Sequence, residues 1–217
     1  MCGRITLTTP DIESVASMLE AQVSPADAAS YRPRYNAAPS DRHWIVQPSA
    51  SGRLLVPAVW GFKGGMINAR SETADKRFRS ASRVIVAADG FYEWTGPRDA
   101  RQPIWFRPRE GGLLLLAGLA EVLPDGRLGF VVLTTDATGA VARIHDRMPL
   151  IVPHDKLSDW LKFGDTLRND RANMAELVQE LRKASPNLSA TEVSPRVNDV
   201  KNDDRSLIEP PPQLSLL

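Results

Sequence analysis

The second residue of the chain is its only cysteine, in an opening that reads Met1-Cys2-Gly3-Arg4. Loss of Met1 would leave Cys2 as a 1,2-aminothiol, with a free α-amine beside its thiol. An internal nitrogen is an amide and not nucleophilic, whereas an α-amine with a pKa of about 7.7–8 is partly neutral near physiological pH. The thiol, with a reference pKa of about 8.5, is a strong nucleophile wherever its thiolate is stabilised. Such a group attacks a carbonyl through sulfur, or condenses with an aldehyde through both atoms and closes a five-membered thiazolidine. The competing role is structural, because an unpaired cysteine also packs as a small hydrophobe. The residues around it lack the apolar core of a secretory or lipoprotein signal.

Three further segments carry chemistry. Trp60-Gly61, followed by Asn68-Ala69-Arg70-Ser71-Glu72, sets an amide and a guanidinium just before a helical pattern. Asp89-Gly90-Phe91-Tyr92-Glu93-Trp94 places a carboxylate between two aromatics on a strand after a turn. Desolvated there, Glu93 would have a raised pKa suited to proton transfer; strand alternation equally allows it to face solvent. Ile144-His145-Asp146-Arg147-Met148-Pro149 adds an imidazole beside a cation, with a hydrogen-bonded structural histidine as the plain alternative. Three histidines, His43, His145 and His154, and a single cysteine give poor support to a zinc cluster, so neither metal nor cofactor is expected.

The elements that must position these residues are those of a globular chain. Its 217 residues are 42% hydrophobic and 24% charged, enough for one domain with a real core. One cysteine excludes an internal disulfide framework and fits a reducing compartment. No apolar run approaches the ~18 residues of a membrane-spanning helix, so the expectation is a soluble cytoplasmic protein. The net charge of +1 conceals an asymmetry: residues 51–109 hold eleven Lys or Arg against five Asp or Glu, a balance of +6 that leaves −5 for the rest. A local basic face suits an anionic partner of limited footprint, although a solvated helix face gives the same pattern.

Residues 4–8 read as a strand, and Thr9-Pro10-Asp11 as the start of a helix with Ile12, Val15, Met18 and Leu19 as its apolar stripe. Strands are expected at 43–47, 54–59, 84–88, 91–94, 103–107, 113–119 and 128–134, separated by Gly- and Pro-containing turns. Helical patterns fall at 71–80, 137–144, 154–163 and 173–183. Short connections imply mainly antiparallel pairing. The class is α+β: a single domain over residues 1–209 with a largely antiparallel, twisted, barrel-like sheet core and flanking helices, then a Pro-rich tail at 210–217.

Taken together and in this order, N-terminal Cys-Gly-Arg, Asn-Ala-Arg-Ser-Glu, Gly-Phe-Tyr-Glu-Trp and His-x-Arg-Met-Pro resemble the SOS response-associated peptidase family from Cys2 to about Pro149, with a weaker echo at 193–198. The resemblance implies a monomer that shields abasic sites in single-stranded DNA, including single-strand/double-strand junctions, by bonding to them through Cys2. It implies an association with the nucleoid if the source is bacterial. On the matching positions, Asn68 would position Cys2, and Glu93 and His145 would form an acid–base pair. Arg70, Arg77, Arg147 and less directly Arg4 would contact phosphates, while Trp60 and Pro39 would stack on or wedge apart bases. Two positions depart from the family pattern: Val84 follows Arg83 where a cysteine is common, and Asp146 stands where proline is common. Rival readings are an N-terminal-cysteine hydrolase, either a glutamine amidotransferase or a peptidase confined to removing Met1, and a noncovalent single-strand binding module. The chain shows no convincing glutamine-binding or Asn-Gly oxyanion motif.

Overall fold

Alternation of side chains along the strands divides the interior into two apolar layers. The computed structural model describes residues 2–62, 64–97, 99–162, 171–184 and 186–210. Its strands are β1 (Ile5–Leu7), β2 (Ala21–Gln22), β3 (Arg34–Ala37), β4 (Arg42–Ser49), β5 (Gly52–Trp60), β6 (Asn68–Arg70), β7 (Ser82–Ala88), β8 (Gly90–Thr95), β9 (Gln102–Pro108), β10 (Leu114–Val122), β11 (Leu128–Asp136), β12 (Arg147–Pro149) and β13 (Leu188–Glu192). The helices are α1 (Ile12–Met18), α2 (Pro25–Ala28), α3 (Ala74–Arg77), α4 (Leu157–Trp160) and α5 (Arg171–Lys183).

One sheet runs β13-β9-β8-β1-β3, and the other β12-β11-β10-β7-β4-β5-β2 with β6 added on β11. Because β11 also pairs with β5, strands β5, β4, β7, β10 and β11 form a ring with no free edge between them. Pairing is largely antiparallel, with parallel contacts at β2–β5, β5–β11 and β6–β11. Ring closure depends on Gly129. A Cβ there would lie 2.9 Å from the Gly61 carbonyl oxygen and 2.7 Å from the Leu123 side chain, so a larger residue would push β11 off β5. Beside it Trp60 stacks on Phe130, with ring centroids 5.9 Å apart.

On β7, Ile85 and Ala87 join a core with Leu115, Val131, Ile12, Val15 and Trp160, under the helices. Val84, Val86 and Ala88 face the other core, where Phe130 and Val132 meet Ile5, Phe91 and Phe106 of the five-stranded sheet. Strands buried on both faces read as near-continuous apolar runs, which is why they were legible. A third cluster covers the outside of the five-stranded sheet: Val193, Val197 and Leu207 pack on Tyr92 and Trp105.

Every expected strand is present, with ends shifted by a few residues. The helices differ more. The cap of α1 is Asp11 rather than Thr9, since the Asp11 carboxylate accepts the Ser14 N–H at 2.7 Å and Pro10 lies outside the helix. Met18 is 52% exposed and does not join Ile12, Val15 and Leu19 in the core. The pattern at 71–80 yields only α3, and that at 137–144 only a 3-10 turn at Val141–Arg143. Sheet hydrogen bonds win in both places: Ser71 N–H donates to Thr134 O at 3.0 Å, and Ala137 N–H to Asp146 O at 2.9 Å. The segment 154–163 divides into a 3-10 turn, His154–Lys156, and α4, and its last residue lies outside the described residues. Residues 211–217 of the expected tail also lie outside them.

His43 offers a measure of how this core responds to acid. It is fully enclosed, with its Nε2 2.6 Å from the Ala87 carbonyl oxygen and no partner for Nδ1 among the described residues. Burial holds the imidazole neutral and pushes its pKa down to about 4. The unfolded chain, with a histidine pKa near 6.5, takes up that proton first, so stability falls as pH drops from about 6.5 to 4, by about 3 kcal/mol from this group. Calorimetry across that range should show the fall in the wild type and a flatter profile in His43→Gln.

Candidate active site

Cys2 lies just ahead of β1, which is held between β8 and β3 in the five-stranded sheet. Ile5 pairs with Phe91, and Tyr92 N–H donates to the Arg4 carbonyl at 3.0 Å. The same antiparallel register, continued by one residue, brings Gly3 across from Glu93. Cys2 is fully buried in the chain that carries Met1, its Sγ 3.7 Å from the Arg4 carbonyl oxygen. Of the two orientations open to Glu93, the fold takes the desolvated one: the side chain is 2% exposed, and Tyr92 is buried on the opposite face. Burial raises the Glu93 carboxyl above its ordinary range, His145 opposes that rise and Asp146 adds to it. Burial likewise pushes the Cys2 thiol up, and the neighbouring Glu93 charge pushes it further.

Asn68 enters from the other sheet. Strand β6 lies parallel to β11, with Asn68 paired to Val132, and Asn68 Nδ2 donates to the Cys2 carbonyl at 2.7 Å. Its Oδ1 is buried with no hydrogen-bond partner among the described residues. His145 follows the 3-10 turn and is 28% exposed. Its Nδ1 lies 3.0 Å from the Arg147 N–H and 2.8 Å from Asp146 Oδ1. Nδ1 thus has both a backbone donor and a carboxylate beside it. The four residues singled out for chemistry therefore converge. No group of three metal-ligating side chains occurs among the described residues.

A family model described as SOS response associated peptidase (SRAP) matches residues 1–200. The chain belongs to the SRAP family. An SRAP relative from Bacillus subtilis strain 168, the abasic site processing protein YoqW, is 31% identical over 96% of this chain and 99% of its own length. The abasic site processing protein YedK of Escherichia coli K12 is 28% identical over 82% of this chain and 84% of its own. A crystal structure of a phage-related protein from Bordetella bronchiseptica superposes with a TM-score of 0.67 at 29% identity, covering 88% of this chain and 94% of that one. A Bacteroides thetaiotaomicron protein shares the fold at a TM-score of 0.78 and 17% identity, over 97% and 100% of the two chains.

The positions that the SRAP resemblance marks for DNA divide into two groups in this structure. Arg70 and Arg77 are exposed, Arg77 lying 5.8 Å from the Phe78 ring centroid, and Pro39 is partly exposed. Arg4 is half-buried: its Nη1 donates to Val197 O at 2.6 Å and Asn36 Oδ1 at 3.0 Å, and its guanidinium lies over Trp94. Trp60 and Arg147 are not free surface groups. Trp60 is 1% exposed, stacked on Phe130, and its Nε1 donates to Ile67 O at 3.0 Å. It forms the floor of a groove of about 560 Å³ beside Pro39, Ser40, Phe62 and Ile67 without offering an open ring face. Arg147 is 8% exposed and bound to Glu72 and Asp136. Ring closure and carboxylate pairing explain the difference, and the partners Phe130 and Glu72 are remote from these residues in sequence. Sequence reasoning missed Asp136, and it quoted Glu72 without a role; an acidic residue closing the apolar run of β11 was the one available sign. A second cavity of about 430 Å³ is lined by Gly3, Arg4, Trp94, Asp99, Arg101 and Asn198.

Two substitutions separate support from chemistry. Trp60→Ala removes a buried stacked ring and should cost about 3–5 kcal/mol of stability, read as a lowered Tm before any effect on binding. Glu93→Gln should do the reverse at high pH. Glu93 has a raised folded pKa, so its contribution is most favourable below the unfolded pKa and is lost as pH rises through the folded one. The gain in Tm of Glu93→Gln over wild type should be near zero at pH 4 and positive at pH 8. Each kcal/mol is worth about 2–4 °C in a chain of this size. An unchanged Tm at pH 8 would mean that the carboxylate is not held at a cost.

Proposed function

We propose that this protein binds single-stranded DNA and shields abasic sites by forming a covalent thiazolidine through Cys2 once Met1 has been removed. The observation that carries this reading is the convergence of Cys2, Asn68, Glu93 and His145 from two sheets onto one point. The naming of its relatives as abasic site processing proteins supports the substrate. Burial of the thiol, which raises its pKa, supports the amine as first nucleophile.

An abasic deoxyribose is mostly a closed hemiacetal. Opening it requires removal of the C1′ hydroxyl proton and delivery of a proton to the ring oxygen, which Glu93 and His145 supply as base and acid. The Cys2 amine adds to the C1′ aldehyde, and loss of water gives an iminium. The sulfur then attacks C1′, the thiol proton passes to the base, and the neutral thiazolidine remains, with one water released overall. Asn68, already bonded to the Cys2 carbonyl, orients the residue, and its buried Oδ1 is an acceptor suited to the new amine. Arg70 and Arg77 hold phosphates, with Arg4 at the second cavity. Pro39 and the Trp60-floored groove receive the flanking strand, which bends more readily as a single strand or at a junction than as a continuous duplex. On this reading the protein acts as a monomer in the cytoplasm on nucleoid DNA if bacterial, removes Met1 from itself, and has a weak lyase activity through the same iminium.

Incubation with abasic and intact oligonucleotides, separated under denaturing conditions after heating, should give a shifted band only with the abasic strand and wild-type protein. Cys2→Ala and Cys2→Ser, which keep the α-amine but lack the thiol, should give at most a heat-labile Schiff base. Equally heat-stable bands from wild type and Cys2→Ala would defeat the proposal, as would an intact mass showing Met1 retained in crosslinking protein.

A further inference from the structure

The turn that carries Pro39 borders two hollows. Asp41 N–H donates to Ala38 O at 3.1 Å and closes the turn, which Ser40 N–H ties to Trp60 O at 2.8 Å. Pro39, Ser40 and Val59 line the groove floored by Trp60. Asp41, Arg42 and Pro57 line a third cavity, of about 320 Å³. In the β4–β5 register Arg42 pairs with Val59 and Trp44 with Pro57. Groove and cavity therefore follow one another along the same strands, a two-residue step of about 7 Å apart.

What the cavity offers is donors. Trp44, only 6% exposed, lines it beside Pro57. Its indole N–H can only donate, and it makes no hydrogen bond among the described residues. Arg34 is held in place, with Nη2 2.6 Å from Asp41 Oδ2 and Nε bonded to Asp203, which leaves Nη1 without a partner among the described residues. Arg32 and Arg42 are exposed, and neither guanidinium is paired among the described residues. Asp41, the one carboxylate lining the cavity, already accepts from Arg34 and, at 3.0 Å, from the Ala38 N–H. Unclaimed donors around a single committed carboxylate suit an oxygen-rich anion, and forked guanidinium groups suit a phosphate. All three arginines lie outside the basic stretch 51–109, so it is the fold that assembles them.

We propose that this cavity seats a backbone phosphate of the DNA strand where the strand passes the Pro39 turn, with Arg32 and Arg42 as its main ligands and Arg34 and the Trp44 N–H completing the donor set. This rests on the proposed reading of the Pro39 groove as the path of the flanking strand. The footprint on DNA then extends past the groove on one side of the lesion only, and the added contact is to backbone, so it is blind to base sequence.

The test uses single strands carrying tetrahydrofuran in place of the abasic sugar, which has no aldehyde and so reports binding without crosslinking. On a strand with about ten nucleotides on each side of the lesion, the double variant Arg32→Ala/Arg42→Ala should flatten the logarithmic salt slope of binding by about 0.7, the share of one phosphate. Trimming the strand towards the lesion from one end should abolish the difference between wild type and variant, and trimming from the other end should preserve it. In ¹H–¹⁵N spectra of the wild type, the Trp44 indole N–H should shift with the long strand and not with the strand trimmed from the sensitive end. Equal slopes for wild type and variant on the long strand, or an unmoved Trp44 signal, would overturn the inference. So would a difference that survives trimming from both ends, since that is general charge attraction with no seated phosphate. Failure of the wild type to bind any of these strands would instead defeat the proposed reading of the protein as a single-strand binder.

Discussion

The site depends on where β1 is held. A strand of three residues cannot be stable alone, and Ile5–Leu7 persists because β8 and β3 pair with it on both sides while its side chains enter both interior layers. That sandwiching turns the start of the chain, ordinarily the loosest part of a protein, into a fixed coordinate. Everything proposed for Cys2 needs this. An amine and a thiol on a fraying end would meet an aldehyde in many orientations, whereas here the Asn68 amide and the Glu93 carboxyl face a residue whose backbone is already set.

Around this point the protein accepts unfavourable electrostatics. Glu93 is buried with a raised pKa, the Cys2 thiol is buried, and Asn68 holds a buried acceptor without a partner among the described residues. The buried carboxyl and the buried unpartnered acceptor each cost folding free energy, the signature of a candidate functional site. The Arg147 network stands in contrast. Its charges are paired through short hydrogen bonds from Arg147 to Glu72 and Asp136.

The central strands were legible in the sequence because a strand buried on both faces writes an unbroken apolar run, as Val84–Ala88 and Leu128–Thr134 do. The four residues singled out for chemistry, Cys2, Asn68, Glu93 and His145, stood out because their motifs are unusual in combination. What the sequence did not show was who pairs with whom. Strands β6 and β12 are three residues each, too short for a local pattern to distinguish them from loops, and β6 finds its partner β11 some way along the chain. Trp60 and Arg147 illustrate the same limit: an indole and a guanidinium look available for a ligand until the fold supplies Phe130 for one and Glu72 with Asp136 for the other.

The outer cover of the five-stranded sheet adds an order of events. Arg4 donates to the Val197 carbonyl, and Asn36, on the strand beside β1, donates to the carbonyls of Val197, Asp199 and Asn202. Arg4 and Asn36 are therefore held by a segment 161 to 193 residues further along the chain. While translation is still short of residue 202, β1 lacks part of its support, and an aminothiol exposed by early loss of Met1 would have no aligned Asn68 or Glu93 beside it. On the proposed reading, the aligned site thus forms only once residues 197–202 have joined the fold.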